Sequence, residues 1–150
     1  MQQLHDELPN DLVKLILIQG QYSNREMVRL HKERIDQGST SMLFGLASFA
    51  EGVDLPGDYC RHVVIAKLPF AVPNEPLQQA LAEWIEARGG NSFFDISLPL
   101  ASLRLIQACG RLLRTESDTG TVTILDKRLL TKRYGKQLLD ALPPFRRELG

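Results

Sequence analysis

Four short apolar runs set wide apart constrain this chain more than any other feature: residues 13–18 (VKLILI), 41–46 (SMLFGL), 63–68 (VVIAKL) and 122–125 (VTIL). Each is too short for an ordinary helix and rich in β-branched and aliphatic residues, so each reads as a buried strand. Between them lie stretches with helical signals. Ser23-Asn24-Arg25-Glu26 has the form of a capping box, in which the Ser23 hydroxyl accepts from a backbone N–H and Glu26 reaches back. It predicts a helix to about Ile35, closed by Gly38. Residues 47–57, small and acidic, read as a loop. Residues 77–87 form an amphipathic pattern with Leu77, Leu81 and Trp84 or Ile85 inward, stopped by Gly89-Gly90. Pro99 suits the first turn of a helix reaching about Leu113. Thr131 suits the cap of a last helix over about 132–142, which Pro143-Pro144 ends. Residues 2–8 suit the end of a helix stopped before Pro9. With no strand ahead of it, the first strand of the domain is expected to lie outside the chain. Strands alternating with amphipathic helices indicate an α/β fold, a mostly parallel sheet flanked by helices, as one domain over residues 1–150. In such sheets ligands meet the loops at the strand carboxyl ends.

Composition excludes some classes. No apolar run approaches the roughly 18 residues that span a bilayer, and the opening residues lack the basic start and apolar stretch of a signal peptide. The two cysteines, Cys60 and Cys109, make no CxxC and no metal-ligand cluster, and are expected to be reduced thiols in a cytoplasmic protein. The net charge is zero, but its distribution is uneven. From Arg104 to Arg147 ten cations face four acids, a net of +6, and the remainder carries −6. A basic segment binds phosphate by charge alone; a solvated helix face is the alternative.

The predicted helix near residue 107 carries the sharpest pattern. With Gln107 at zero on a helical wheel of about 100° per residue, Arg111 falls near 40°, Arg114 near 340° and Arg104 near 60°. Leu105, Ile106, Cys109, Leu112 and Leu113 occupy the opposite side. Gly110 lies at the boundary, where a missing side chain permits close approach by a backbone or ligand. Stacked arginines repel, and an anion that neutralises them explains the stacking; guanidinium forks suit phosphate oxygens. Pairing with Glu116 or Asp118 on a surface helix is the alternative.

These residues carry a resemblance. Residues 107–114, QACGRLLR, fit QxxGRxxR and resemble motif VI of superfamily 2 helicases. Asp118-Thr119-Gly120 resembles the acidic turn that follows it in the XPD-like branch. Upstream, residues 48–57, SFAEGVDLPG, are similar to that branch's motif V. Downstream, Leu125-Asp126-Lys127-Arg128 and Thr131-Lys132-Arg133-Tyr134-Gly135 resemble the tail of DinG-type helicases. The matches fall in the right order over most of residues 13–143, and together identify the chain as similar to the second RecA-like domain of a DinG-family helicase.

The resemblance implies a three-layer RecA-like fold of the P-loop NTPase type, ATP clamped against a first RecA-like domain, and single-stranded DNA lying across both. It implies Arg114 as arginine finger, Arg111 beside it at the γ-phosphate, and Gln107 at the phosphate or attacking water, with Gly110 on the same nucleotide-facing surface. Gly52 would let the backbone pass close to the ligand, Asp54 would accept from a ribose hydroxyl or an arginine, and Glu51 would orient the loop. Ser48, Gln19 and Gly20 would face DNA, and Lys127, Arg128, Lys132 and Arg133 would extend a phosphate track. Phe93, Phe94 and Trp84 are better suited to core packing than to base stacking.

Several parts have no counterpart in the chain. No GxxxxGK[ST] loop and no acidic DExH-like run occur, and two cysteines cannot ligate the family's iron–sulfur cluster. The resemblance assigns all three, with Mg²⁺, to the first domain, and implies five-prime to three-prime movement. No protein metal site is expected in this chain, which by itself should not hydrolyse ATP. Two alternatives remain open: a non-hydrolysing single-stranded nucleic-acid-binding module, and a truncated remnant.

Overall fold

The computed structural model describes residues 8–71, 76–112 and 118–149. In chain order the elements are α1 (Asn10–Val13), β1 (Ile16–Ile18), α2 (Asn24–Asp36), β2 (Met42–Phe44), α3 (Ala47–Gly52), a 3₁₀ turn (Gly57–Tyr59), β3 (His62–Ile65), α4 (Pro76–Glu86), a π-type turn (Phe93–Ser97), α5 (Leu98–Gly110), β4 (Thr121–Ile124), α6 (Arg128–Thr131) and α7 (Arg133–Ala141). The expected helix end at residues 2–8 falls almost wholly outside the described residues. The α/β class and the parallel pairing hold. The described strands form two parallel pairs, β1 with β2 and β3 with β4, in the registers Leu17↔Leu43 and Val64↔Thr123. The chain divides into two compact units, residues 1–61 with 111–120, and residues 62–110 with 121–150.

In the first unit the Ser23 hydroxyl accepts from the Glu26 N–H at 3.2 Å and starts α2 as the capping box requires. The reciprocal half differs: the Glu26 carboxylate accepts from Arg29 Nε at 3.1 Å. Gly38, at φ +74°, closes the helix in the left-handed region. β1 is shorter than expected, because Val13 belongs to the helical turn α1. Residues 47–52, expected as loop, are helical. A turn of helix sets Phe49 and Val53 four residues apart on one side, and both are buried against Leu17 and Met27. Gly45 accommodates this packing, since a Cβ there would fall 2.5 Å from the Phe49 ring.

The second unit packs around Leu68, Leu98, Leu105, Cys109, Leu129 and Leu138. Helix α5 buries Leu98, Ala101, Leu105 and Cys109 at helical spacing, with Pro99 in its first turn, and ends at Gly110. Phe70, Phe93 and Tyr134 form a ring cluster with centroids 5.2–5.6 Å apart, so Phe93 is a packing residue as expected. Phe94 is half exposed, with its edge toward Phe93.

Two local expectations are corrected. Leu77, Leu81 and Trp84 do not point inward; Leu77 is 79% exposed, no residue of α4 is fully buried, and Ile85, the alternative to Trp84, is half-buried. Periodicity marks an apolar face without supplying the surface that covers it. Thr131 does not cap the last helix. Its hydroxyl donates to the Lys127 carbonyl at 3.0 Å within α6, and α7 begins after Lys132.

Helices α6 and α7 meet at Gly135, where a Cβ would fall 1.9 Å from the Leu129 carbonyl oxygen. Backbone cannot yield there as a flexible side chain would. Gly135→Ala is expected to lower unfolding free energy by about 2–3 kcal/mol in chemical denaturation; an unchanged midpoint would mean that the two helices do not meet at this position.

Candidate functional site

β1 delivers Gln19 to the start of the 48–57 segment. The Gln19 N–H donates to the Phe44 carbonyl at 2.8 Å, and its side-chain Oε1 accepts from the Leu46 N–H at 2.8 Å. This candidate DNA contact therefore also ties the turn between β2 and α3. Gly20 is exposed at φ +99°, a conformation side chains other than glycine rarely adopt. Ser48 is exposed in the first turn of α3. Gly52 is exposed at the end of α3, and nothing lies within 4 Å of where its Cβ would stand. Asp54 is exposed; the side chain of Glu51 lies outside the described residues.

Between Gly52 and Asp54 the chain turns Val53 inward, and its carbonyl accepts from Arg111 Nη1 at 3.1 Å. Two segments 58 residues apart are thus joined by a guanidinium. Arg111 is half-buried. Arg114 lies outside the described residues. Gln107 is exposed on α5, across the helix from buried Leu105 and Cys109, as the wheel predicts. Gly110 has nothing within 4 Å of a Cβ position, so its open side does not arise from packing within the described residues. Burial pushes the Cys109 thiol up to about 11, leaving it protonated and unreactive near neutrality.

Sequence reasoning missed two centres. The first is His31, 5% exposed on α2. Its Nδ1 pairs with Ser41 Oγ and its Nε2 with the Tyr59 carbonyl, both at 2.9 Å. A carbonyl only accepts, so Nε2 carries the proton and Nδ1 accepts from the serine hydroxyl. Desolvation, with smaller contributions from Arg34 and Lys32, depresses its pKa against the raising effect of the Tyr59 carbonyl. The only sequence signal was a histidine on the inner face of a helix.

The second is Asp126, after β4. Its Oδ2 accepts from the Leu68 N–H at 2.9 Å and from Arg128 Nη2 at 2.6 Å; its Oδ1 accepts from the Arg128 N–H at 3.0 Å and from Nε at 2.9 Å. The Arg128 side chain holds the carboxyl well below the usual carboxylate range, assisted by both N–H groups. The Arg128 guanidinium also stands 5.4 Å from the Phe70 ring centroid. Arg128, read from sequence as part of a phosphate track, is therefore first a partner of Asp126. Lys127, Lys132 and Arg133 are exposed. Among the described residues no three of His, Cys, Asp or Glu converge to hold a metal ion, and no helix is long and apolar enough to cross a membrane.

The Arg111 guanidinium thus ties the chain after α5 to the glycine-flanked Val53 turn. The chain belongs to the helicase C-terminal domain family, whose profile it matches over residues 1–145. It is 51% identical over 132 residues to the ATP-dependent DNA helicase DinG of Photobacterium profundum, covering 88% of this chain and 19% of that protein. It is 47% identical over 135 residues to the ATP-dependent DNA helicase DinG of Escherichia coli strain K12, and 44% identical over 135 to that of Salmonella choleraesuis. In both, 90% of this chain and 19% of the relative are covered. The chain thus spans about a fifth of the length of these relatives.

His31 makes stability depend on pH. Its folded pKa lies below its ordinary value near 6.5. The contribution is present above that value and is lost as pH falls toward the folded pKa, because the unfolded chain takes up the proton first. Each pH unit through that window removes up to about 1.4 kcal/mol. Denaturation midpoints are expected to drop between pH 7.5 and 5.5, and His31→Gln to flatten that slope; equal slopes in both proteins would exclude His31 as the source.

Proposed function

We propose that this chain is the C-terminal motor domain of an ATP-dependent DNA helicase, RecA-like in fold, which completes an ATP site whose phosphate-cradling loop lies on a first domain. The observation that carries this reading is the 3.1 Å contact from Arg111 to the Val53 carbonyl. It joins the stretch that begins at Arg111 to the glycine-flanked segment, the pair of segments that a motor must couple. The relatives' names, ATP-dependent DNA helicase DinG, support the activity.

In this reading Arg114 is the finger, Arg111 stands beside it, and Gln107 orients the phosphate or the water. An arginine against a γ-phosphate stabilises charge that develops during transfer. Gly52 and Gly110 leave room for ligand, Asp54 accepts from a ribose hydroxyl or an arginine, and Glu51 orients the segment. The guanidinium and amide groups here suit phosphate oxygens. By resemblance, Mg²⁺ and an iron–sulfur cluster belong to the first domain. Single-stranded DNA runs past Ser48, Gln19 and Gly20, which offer hydroxyl, amide and backbone N–H groups to phosphates. Lys127 adds charge, and Arg128 adds less because Asp126 already neutralises it. Movement is five-prime to three-prime, in the cytoplasm.

In the complete motor, Arg114→Ala is expected to lower ATP turnover by at least about a hundredfold while single-stranded DNA binding persists; wild-type turnover would remove the finger assignment. This chain alone is expected to bind DNA weakly and salt-dependently and to hydrolyse no ATP. Hydrolysis that survives further purification would overturn the two-domain reading. DNA binding without any nucleotide response, once a Walker-bearing domain is supplied, would make it a binding module instead.

A further inference from the structure

The stretch from Ser41 to Tyr59 leaves and returns to one side chain. It contains β2, α3, the 48–57 segment and the 3₁₀ turn, and its two ends are held by the same imidazole. His31 Nδ1 accepts from the Ser41 hydroxyl just before β2, and Nε2 donates to the Tyr59 carbonyl, each at 2.9 Å. Helix α2 adds two further holds on Tyr59. The phenol hydroxyl donates to Asp36 Oδ1 at 2.8 Å, and Lys32 Nζ stands 5.2 Å from the ring centroid. Three residues of one helix therefore fix one residue, two positions beyond Gly57 where the segment ends.

We propose that His31 is a positioning residue for the 48–57 segment, with Asp36 and Lys32 as its support at Tyr59, so that α2 sets how this segment meets DNA. The inference rests on the helicase reading above and deepens it. The physical ground is loop geometry. A segment anchored at both ends to one rigid, buried ring loses the freedom to shift its register along a strand of nucleic acid. The anchor is directional: it needs one nitrogen protonated and the other bare, which a neutral imidazole supplies and an aliphatic side chain does not. These holds act at Ser41 and Tyr59, whereas Arg111 holds the segment near its middle through Val53. Loss of His31 therefore loosens the ends of the segment while leaving that central contact in place.

The test uses the complete DNA-stimulated ATPase carrying this chain, with a single-stranded oligonucleotide as the probe. In His31→Ala the DNA concentration giving half-maximal stimulation should rise by about five- to tenfold, a larger change than that in the KM for ATP, because Arg111 still holds Val53 between Gly52 and Asp54. His31→Gln keeps one donor and one acceptor and should recover to within about twofold of wild type. Tyr59→Phe removes only the hold on Asp36 and should shift half-saturation by about two- to threefold. It carries the test if His31→Ala does not fold. Unchanged half-saturation in His31→Ala, or in Tyr59→Phe where that variant carries the test, overturns the proposal, as does equal loss in the alanine and glutamine variants, which would mark simple packing. A wild-type enzyme whose hydrolysis ignores DNA would instead sink the helicase reading itself, and this inference with it.

Discussion

One guanidinium N–H donating to one peptide carbonyl, Arg111 to Val53, is the contact on which the proposed site depends. Val53 is buried, and a buried carbonyl outside a helix or ladder needs a donor. Arg111 supplies it from a planar fork that presents further donors in other directions. One side chain thus supports the backbone of the 48–57 segment, and in the proposed reading it also answers to the anion. Any force that shifts the guanidinium disturbs the partner of the Val53 carbonyl. In the proposed motor, that shared group would couple nucleotide to nucleic acid.

Packing decides how firmly that carbonyl is placed. Phe49 and Val53 are anchored against Leu17 and Met27, so the outer face of α3 carries Ser48 and Gly52 on a short but seated helix. Gly45 serves the Phe49 ring and not a ligand, whereas Gly52 and Gly110 have open space where a side chain would be. Glycines within a few residues of each other therefore do different work, and only the open ones have room for a bound group.

What could be read from sequence followed periodicity. The centres of the four strands were legible because β-branched and aliphatic runs resist other roles, and the Ser23 cap because its hydroxyl acts three residues away. The wheel through Gln107 was legible for the same reason, with Leu105 and Cys109 inside and Gln107 outside. The helix at 47–52 was not, since its small residues carry a weak preference and the burial of Phe49 overrides it. The outward face of α4 was misread because spacing reveals an apolar stripe without its partner. His31 was invisible because its two partners lie 10 and 28 residues away. Asp126 and Arg128 are two residues apart across a turn, a separation that no helix or strand pattern flags.

That pair also changes what the basic C-terminal half means. Counted from sequence, ten cations stand between Arg104 and Arg147. Arg128 is bound to Asp126, Arg111 to Val53, and Arg147 to the Leu139 carbonyl at 2.7 Å with Asp140 at 3.7 Å. A cation held by an internal carboxylate releases little counterion when phosphate approaches, because the phosphate must first displace the acid. Lys127, Lys132, Arg133 and Lys136, exposed in and around α6 and α7, are the groups placed to respond to salt. In the proposed reading, phosphate affinity from this half of the chain comes chiefly from these four side chains, which position a strand without reading its bases. Sequence-independent holding of that kind is what a protein that moves along DNA needs.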